Sequence, residues 1–254
     1  MTRMEVRMRR NLVLCGAMAA ATIAFATRAV AYEAVAVTDG GSISGTVKYD
    51  GTPPAPDKIP VTKDPEVCGK EGKEKISPDL TVGPGGGIAN VVVVVNAAKG
   101  KKLDVPTTNP VFDQKTCEFH PHVLAFPAGS TVDVLNSDGI LHNIHTTSKT
   151  NTPINQAQPK FKPKIQVKVE KAEWPIKVQC DAHGWMHAYW IAQDHPYFAV
   201  TAADGSFKIS DLPAGDYEVE VWQEKLGKKT EKVTVGDSDT KTVDFKFTAP
   251  AGAQ

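Results

Sequence analysis

Two stretches of the chain carry residues whose types and spacing suit metal chemistry. One is Asn136-Ser-Asp-Gly-Ile-Leu-His142-Asn143 and the other is Cys180-Asp-Ala-His183-Gly-Trp-Met186. Between them they offer one thiolate, two imidazoles and one thioether. Such a set holds a single copper ion in an electron-transfer site: the sulfurs favour Cu(I), the imidazoles suit either oxidation state, and a fixed geometry lets the ion change charge with little rearrangement. His142, Cys180, His183 and Met186 are therefore the candidate ligands. His122 is an alternative, because strand alternation in Phe119-His120-Pro121-His122 puts both histidines on one face. There one could meet the metal or donate a hydrogen bond to a ligand, although two solvated histidines are the plainer reading. His145 points to the opposite strand face from His142. His187 and His195 read as surface residues or as hydrogen-bond partners of ligands.

The first 31 residues have the pattern of an export signal. Arg3, Arg7, Arg9 and Arg10 precede an apolar run from Leu12 to Phe25, and Ala29-Val30-Ala31 is a small-x-small cleavage site before Tyr32. The run is too short to span a bilayer comfortably, so cleavage after Ala31 and a periplasmic location are expected, with no membrane span in the mature chain. The whole sequence carries 29 basic and 29 acidic residues; without residues 1–31 these become 24 and 28, a net charge of −4. That balance lacks the concentrated basic footprint of nucleic-acid binding.

Beyond the signal the chain keeps Cys68, Cys117 and Cys180. In an oxidising compartment two of the three should pair and one is left over. A Cys68–Cys117 disulfide with Cys180 on copper accounts for all three; pairing of Cys180 with either of the others would abolish the copper site. Enzyme motifs are missing: there is no Gly-x-Ser-x-Gly elbow, phosphate loop or His-Glu-x-x-His zinc helix. Gly85-Gly-Gly87 precedes a strand rather than a helix, so it makes no phosphate cradle. The expectation is a protein that is not an enzyme.

The elements that must position these ligands read as β throughout. Ser42 to Tyr49 alternates, and Val91 to Val95 is an unbroken valine run, as expected of a strand covered on both faces. Val123–Phe126, Thr131–Leu135, Ile165–Val169 and Ile176–Val178 are further strands, with turns at Pro127-Ala-Gly129 and Asn136-Ser-Asp-Gly139. The polar, proline-containing stretch Thr146–Lys164 reads as a long loop, with room for a helical turn near Pro153 or Ala157. Phe198–Thr201 and Phe207–Ile209 flank Asp204-Gly205 and read as a hairpin. Tyr217–Trp222, Lys232–Val235 and Thr242–Phe247 complete the set.

Residues 117–193 resemble a cupredoxin, the plastocyanin-type copper domain. The likeness rests on Phe119-His-Pro121 with Pro127-Ala-Gly129-Ser-Thr-Val132, on Asn136-Ser-Asp138 leading to His142-Asn143, and on Cys180-x-x-His183. It implies a Greek-key β-sandwich with His142, Cys180 and His183 as equatorial ligands at one end. It also implies that Asn143 ties the ligand loops together, and that His142 or His183, at the exposed edge, is the electron exit. Met186 departs from the pattern: plastocyanins place the axial Met five residues after the second His, and here the gap is three. That shorter gap also resembles the dinuclear copper loop of respiratory oxidases, which needs a second cysteine that this loop lacks, so the resemblance implies one copper. His122 and His145 are the substitutes for Met186 as axial ligand.

Residues 42–96 and 198–247 resemble a carboxypeptidase-regulatory-like, transthyretin-type sandwich, through Gly45-Thr-Val47, Asp204-Gly205-Ser-Phe207 and Leu212-Pro-Ala-Gly215-Asp-Tyr217. The expected fold is all-β with two β-sandwiches: a discontinuous domain over 42–96 and 196–248, into whose loops a cupredoxin-like domain over 111–195 is inserted, where extra sequence costs little. The expected function is a periplasmic copper protein that carries single electrons between redox proteins by weak, transient contact. A copper storage or delivery protein, and a cell-envelope β-module without redox chemistry, are the alternatives.

Overall fold

A computed structural model describes residues 31–69 and 75–248 of the chain; the export-signal reading falls on residues 1–31, of which only Ala31 lies within the described residues. The first long strands are β1 (Gly41–Tyr49) and β2 (Val92–Asn96), with one α-helical turn, α1 (Pro65–Cys68), between them. Nine strands follow: β3 (Val111–Lys115), β4 (Glu118–His120), β5 (Val123–Pro127), β6 (Thr131–Asn136), β7 (His142–Thr147), β8 (Asn155–Gln158), β9 (Lys164–Lys168), β10 (Glu173–Gln179) and β11 (His187–Gln193). The chain then forms β12 (Phe198–Val200), β13 (Ser206–Leu212), β14 (Gly215–Gln223), β15 (Gly227–Val235), β16 (Thr240–Thr242) and β17 (Phe245–Phe247).

Strands β3 to β11 make one sandwich. Its sheets run β9-β6-β3-β4 and β8-β7-β10-β11-β5, with β3–β6 and β5–β11 parallel and the other pairs antiparallel. Alternation buries Phe112, Val132, Val134, Ile144, Ile176 and Trp190 between the sheets. Phe112 stacks on Phe119 and meets Trp190 edge-on, with centroids 4.9 and 5.3 Å apart. The remaining strands make the second sandwich, with sheets β12-β2-β14-β15 and β13-β1-β16, where β17 also pairs with β1.

The valine run is buried on both faces, and the two covers differ. Val91, Val93 and Val95 face the core of their own sandwich, whereas Val92 and Val94 pack with Val123 and Ile191 of the first one. Tyr189 of β11 and Trp222 of β14 add an edge-on contact at 4.9 Å across the same seam. Burying each of these four aliphatic side chains contributes about 1.5–3 kcal/mol, so the seam is a stable packing surface.

Three local expectations change. The Asp204-Gly205 turn forms, with Gly205 at φ +80° and no room for a Cβ beside the Val47 carbonyl. Its flanking strands do not pair, however: β12 joins β2 and β13 joins β1, so the turn is a corner between sheets rather than a hairpin. The Thr146–Lys164 stretch contains β8, a polar edge strand paired with β7, and the one α-helical turn among the described residues lies at Pro65–Cys68 rather than near Pro153 or Ala157. An edge strand with one solvated side needs no apolar alternation, which is why the sequence pattern hid it.

Glu173 organises the bend after β7. Its carboxylate accepts hydrogen bonds from the amides of Lys149 and Asn151 and from the Ser148 hydroxyl. Burial pushes its pKa up, but these donors more than offset that and bring it down to about 2. The folded pKa lies below the unfolded value near 4.3, so its stabilisation is complete above about pH 5 and fades as pH falls toward 2. In urea titrations between pH 7 and pH 3, Glu173→Gln should lose stability at pH 7 and show a shallower acid decline than the parent; parallel pH profiles would refute this role.

Candidate metal centre

The antiparallel ladder between β7 and β10 brings the two motifs to one end of the first sandwich. His145 pairs with Gln179 and Thr146 with Val178, so the start of β7 and the residues after β10 lie side by side. His142 opens β7, Cys180 follows β10, and His183 sits in the turn to β11; they are 0%, 2% and 1% exposed. The turn is closed by the Cys180 amide donating to the Met186 carbonyl at 3.1 Å and the Met186 amide donating to the His183 carbonyl at 2.9 Å. Asn143 stitches the loops together: its side-chain oxygen accepts from the amides of Asp181 (2.6 Å) and Ala182 (3.3 Å), and its amide group donates to Asn155 and Asp181.

Three donor atoms converge. The Nδ1 atoms of His142 and His183 are 3.0 Å apart, and Cys180 Sγ is 3.7 Å from the first and 3.8 Å from the second. Each far nitrogen is occupied by a carboxylate: His142 Nε2 with Asp138 at 2.9 Å, and His183 Nε2 with Asp64 at 2.8 Å. A carboxylate accepts, so each ring keeps a proton on Nε2 and directs its Nδ1 toward the sulfur. A first-row ion bonded at about 2.0 Å to nitrogen and about 2.3 Å to sulfur fits a triangle of this size. The donor types suit copper.

The electrostatics match. Burial pushes the His142 imidazole pKa down, but Asp138 and the Cys180 sulfur more than offset that and lift it to about 9. Burial pushes the Cys180 thiol up, while His142 and the amides of Asn143 and His183 pull it lower overall. His183 is lowered, chiefly by burial, despite Asp64. The pocket thus stabilises a thiolate beside a cation, and a metal entering it displaces the proton held on His142.

Cys180 is a free, buried cysteine, and the disulfide joins Cys68 to Cys117, so the competing pairing does not occur. Met186 is buried in the same core cluster as Cys180. His122 lies elsewhere: its ring is bonded to Glu224 and grouped with His187. The strand ends at His120 and the chain bends over Pro121 and His122, so alternation does not carry across and His120 stays exposed. His145 is half-exposed and bonded to Asp181, and His195 is buried against Tyr197. Neither joins the pocket. Trp190 is core; Trp185 sits 5.2 Å from the His183 ring and donates to the Cys117 carbonyl.

The expected exposed ligand edge is absent. Residues from the β1–β2 connection cover His183: Asp64 precedes α1 and turns its carboxylate to His183, the disulfide pins that turn to Cys117, and Lys63 donates to the Ala182 carbonyl at 3.2 Å. Sequence reasoning missed Asp64, which lies 119 residues from its partner and carries no motif of its own. Asp138, by contrast, stood within the Asn136-Ser-Asp138 motif; it accepts from the Thr116 and Cys117 amides as well as from His142.

Residues 190–248 match the carboxypeptidase regulatory-like domain family. No curated protein is significantly similar to the chain in sequence. Among solved structures, a novel purple cupredoxin from Nitrosopumilus maritimus aligns with 18% identity and TM-score 0.29, over 34% of this chain and 100% of that one. Amicyanin from Paracoccus versutus aligns with 18% identity and TM-score 0.31, over 40% and 97%. A copper-containing nitrite reductase from Thermus scotoductus SA-01 aligns with 15% identity and TM-score 0.32 over 37% of this chain; the match spans only 26% of the reductase. The chemistry below rests on the side chains themselves.

Asn143→Ala leaves the Asp181 and Ala182 amides without their acceptor in a half-buried site. By urea denaturation it should cost on the order of 1–3 kcal/mol; a loss below about 0.5 kcal/mol would mean the loops are held by other contacts.

Proposed function

We propose that the chain binds one copper ion through His142, Cys180 and His183, with Met186 as axial ligand. On this reading it is not an enzyme but a carrier of single electrons between redox proteins of the periplasm. The observation that carries this is the convergence of two Nδ1 atoms and one thiol sulfur, 3.0 to 3.8 Å apart, in a buried pocket. Copper bound there would supply one-electron chemistry by alternating between Cu(II) and Cu(I).

The surrounding residues suit that task. Asn143 and the closed 180–186 turn hold the ligands in one arrangement, which limits the rearrangement that accompanies a change of charge. Asp138 and Asp64 put anionic oxygens on the far nitrogens, which raises ring basicity and favours the higher oxidation state. Burial keeps water and foreign ligands away, and outer-sphere transfer needs no open coordination position. Leu141, beside His142, is 50% exposed and offers apolar ground for the small, weak contacts typical of redox partners.

A storage or delivery role would use the same donors. Burial disfavours it, because handing copper to an acceptor requires a ligand that the acceptor can reach, and all three donors are at most 2% exposed. No helix among the described residues is long and apolar enough to cross a membrane.

Copper-loaded protein should hold one ion in this pocket and show thiolate-to-copper absorption in the visible, which Cys180→Ser should abolish. Voltammetry should be reversible. Protein that takes up no stoichiometric copper, or keeps its colour in the serine variant, would contradict the assignment; copper that cannot be cycled would point to storage. Asp64→Asn removes a negative partner from His183, so the reduction potential should rise, and a potential that stays the same or falls would exclude Asp64 from tuning it.

A further inference from the structure

Among the described residues, one set of metal-ligating side chains converges outside the Cys180 pocket and the neighbouring disulfide, and it spans the seam between the sandwiches. His122, just after β4, and His187, the first residue of β11, come from the first sandwich. Glu224, just past β14, comes from the second, and Asp79 from the β1–β2 connection. Both imidazoles contact Glu224 through Nε2, His187 at 3.1 Å. His187 Nε2 is also 3.1 Å from Asp79 Oδ1. The ligand atoms of His122, His187 and Glu224 all lie within 4.8 Å of one another. The side chains are 6%, 21%, 9% and 22% exposed for His122, His187, Glu224 and Asp79.

Two buried polar atoms of this cluster are left without a hydrogen-bond partner although its imidazoles and carboxylates face one another. His187 Nε2 faces two carboxylate oxygens at 3.1 Å, and its Nδ1 lies 3.4 Å from the Trp185 carbonyl. Asp79 Oδ1 is buried and within reach of His187, yet it makes no hydrogen bond, and His122 Nδ1 is likewise unpartnered. Lys225 reaches only the outer oxygen of Asp79, at 3.7 Å, and Lys177 acts on His187 from β10; neither ammonium stands among the donors. Zinc bonds nitrogen and oxygen at about 2.0–2.2 Å, which sets neighbouring ligands about 3.3 Å apart in a tetrahedron. The 3.1 Å separations come close to that spacing.

We propose that His122, His187, Glu224 and Asp79 form a second metal site, for a divalent cation of the zinc class, that clamps the two sandwiches together. Binding replaces the His122–Glu224 hydrogen bond with shared bonds to the ion. Because His187 follows Met186 directly, the clamp and the copper pocket are joined by one peptide.

The test uses the full chain with His142→Ala and Cys180→Ala, which disables the first pocket, dialysed against Zn2+ alone. It should retain one zinc per chain and melt at a higher temperature with zinc than without. Co2+ in its place should give ligand-field absorption without thiolate charge transfer. Adding Glu224→Gln, or separately Asp79→Asn at the more exposed rim, should weaken zinc binding at least about tenfold and remove the thermal shift, with the circular dichroism unchanged. Absence of retained zinc, or zinc binding undiminished in both variants, would overturn the proposal and leave a protonated ion-pair network. The first pocket is disabled throughout, so the result is independent of whether the chain binds copper.

Discussion

Two imidazole nitrogens and one cysteine sulfur converge in a buried pocket, where a proton or a cation must stand between them to hold them together. The rest of this structure follows from holding that arrangement. Asp138 and Asp64 force the tautomers by occupying the far nitrogens. Asn143 fixes the distance between the loops by accepting two amides that the turn would otherwise leave bare. The β7–β10 ladder decides which end of the sandwich receives the ligands. Each of these is a hydrogen bond that would contribute little alone; together they remove the freedom by which the donors could separate.

The second sandwich does more than accompany the first. Its β2 strand carries alternate valines to two different cores, so one strand is buried on both faces and joins the two sandwiches. The connection from β1 to β2 then reaches over the metal end, delivering Asp64 to one cluster and Asp79 to the other. A single long excursion therefore covers one ligand and supplies a carboxylate to a separate group of histidines. The Cys68–Cys117 disulfide pins that excursion beside the pocket.

Much of this was legible in the residues. His142, Cys180 and His183, which the fold brings together, stood out because donor atoms of those types occur at few places in a chain. Asn143 and Asp138 were visible through their motif. The valine run declared two-sided burial, although not which surfaces would supply it. The reading of His122 went astray because alternation applies only while a strand continues, and the chain bends after His120. The supposed hairpin at Asp204-Gly205 failed for a related reason: a turn signal specifies local φ and ψ, whereas the sheet each arm joins depends on partners far away in the chain.

What the sequence determined by itself was the chemistry on offer and the texture of the backbone: a soft–borderline donor set, all-β punctuation, and a cysteine count with one thiol to spare. Those are properties of residue type and short-range periodicity, and they survive any arrangement of the strands. Only the tertiary structure decided that the spare thiol would be Cys180, that Asp64 would cross 119 positions to meet His183, that both imidazoles would be sealed from solvent, and that His122 would face Glu224 instead of the Cys180 pocket. Contacts of that range arise from how sheets stack, and stacking is set by the combined burial of many side chains that no local pattern encodes.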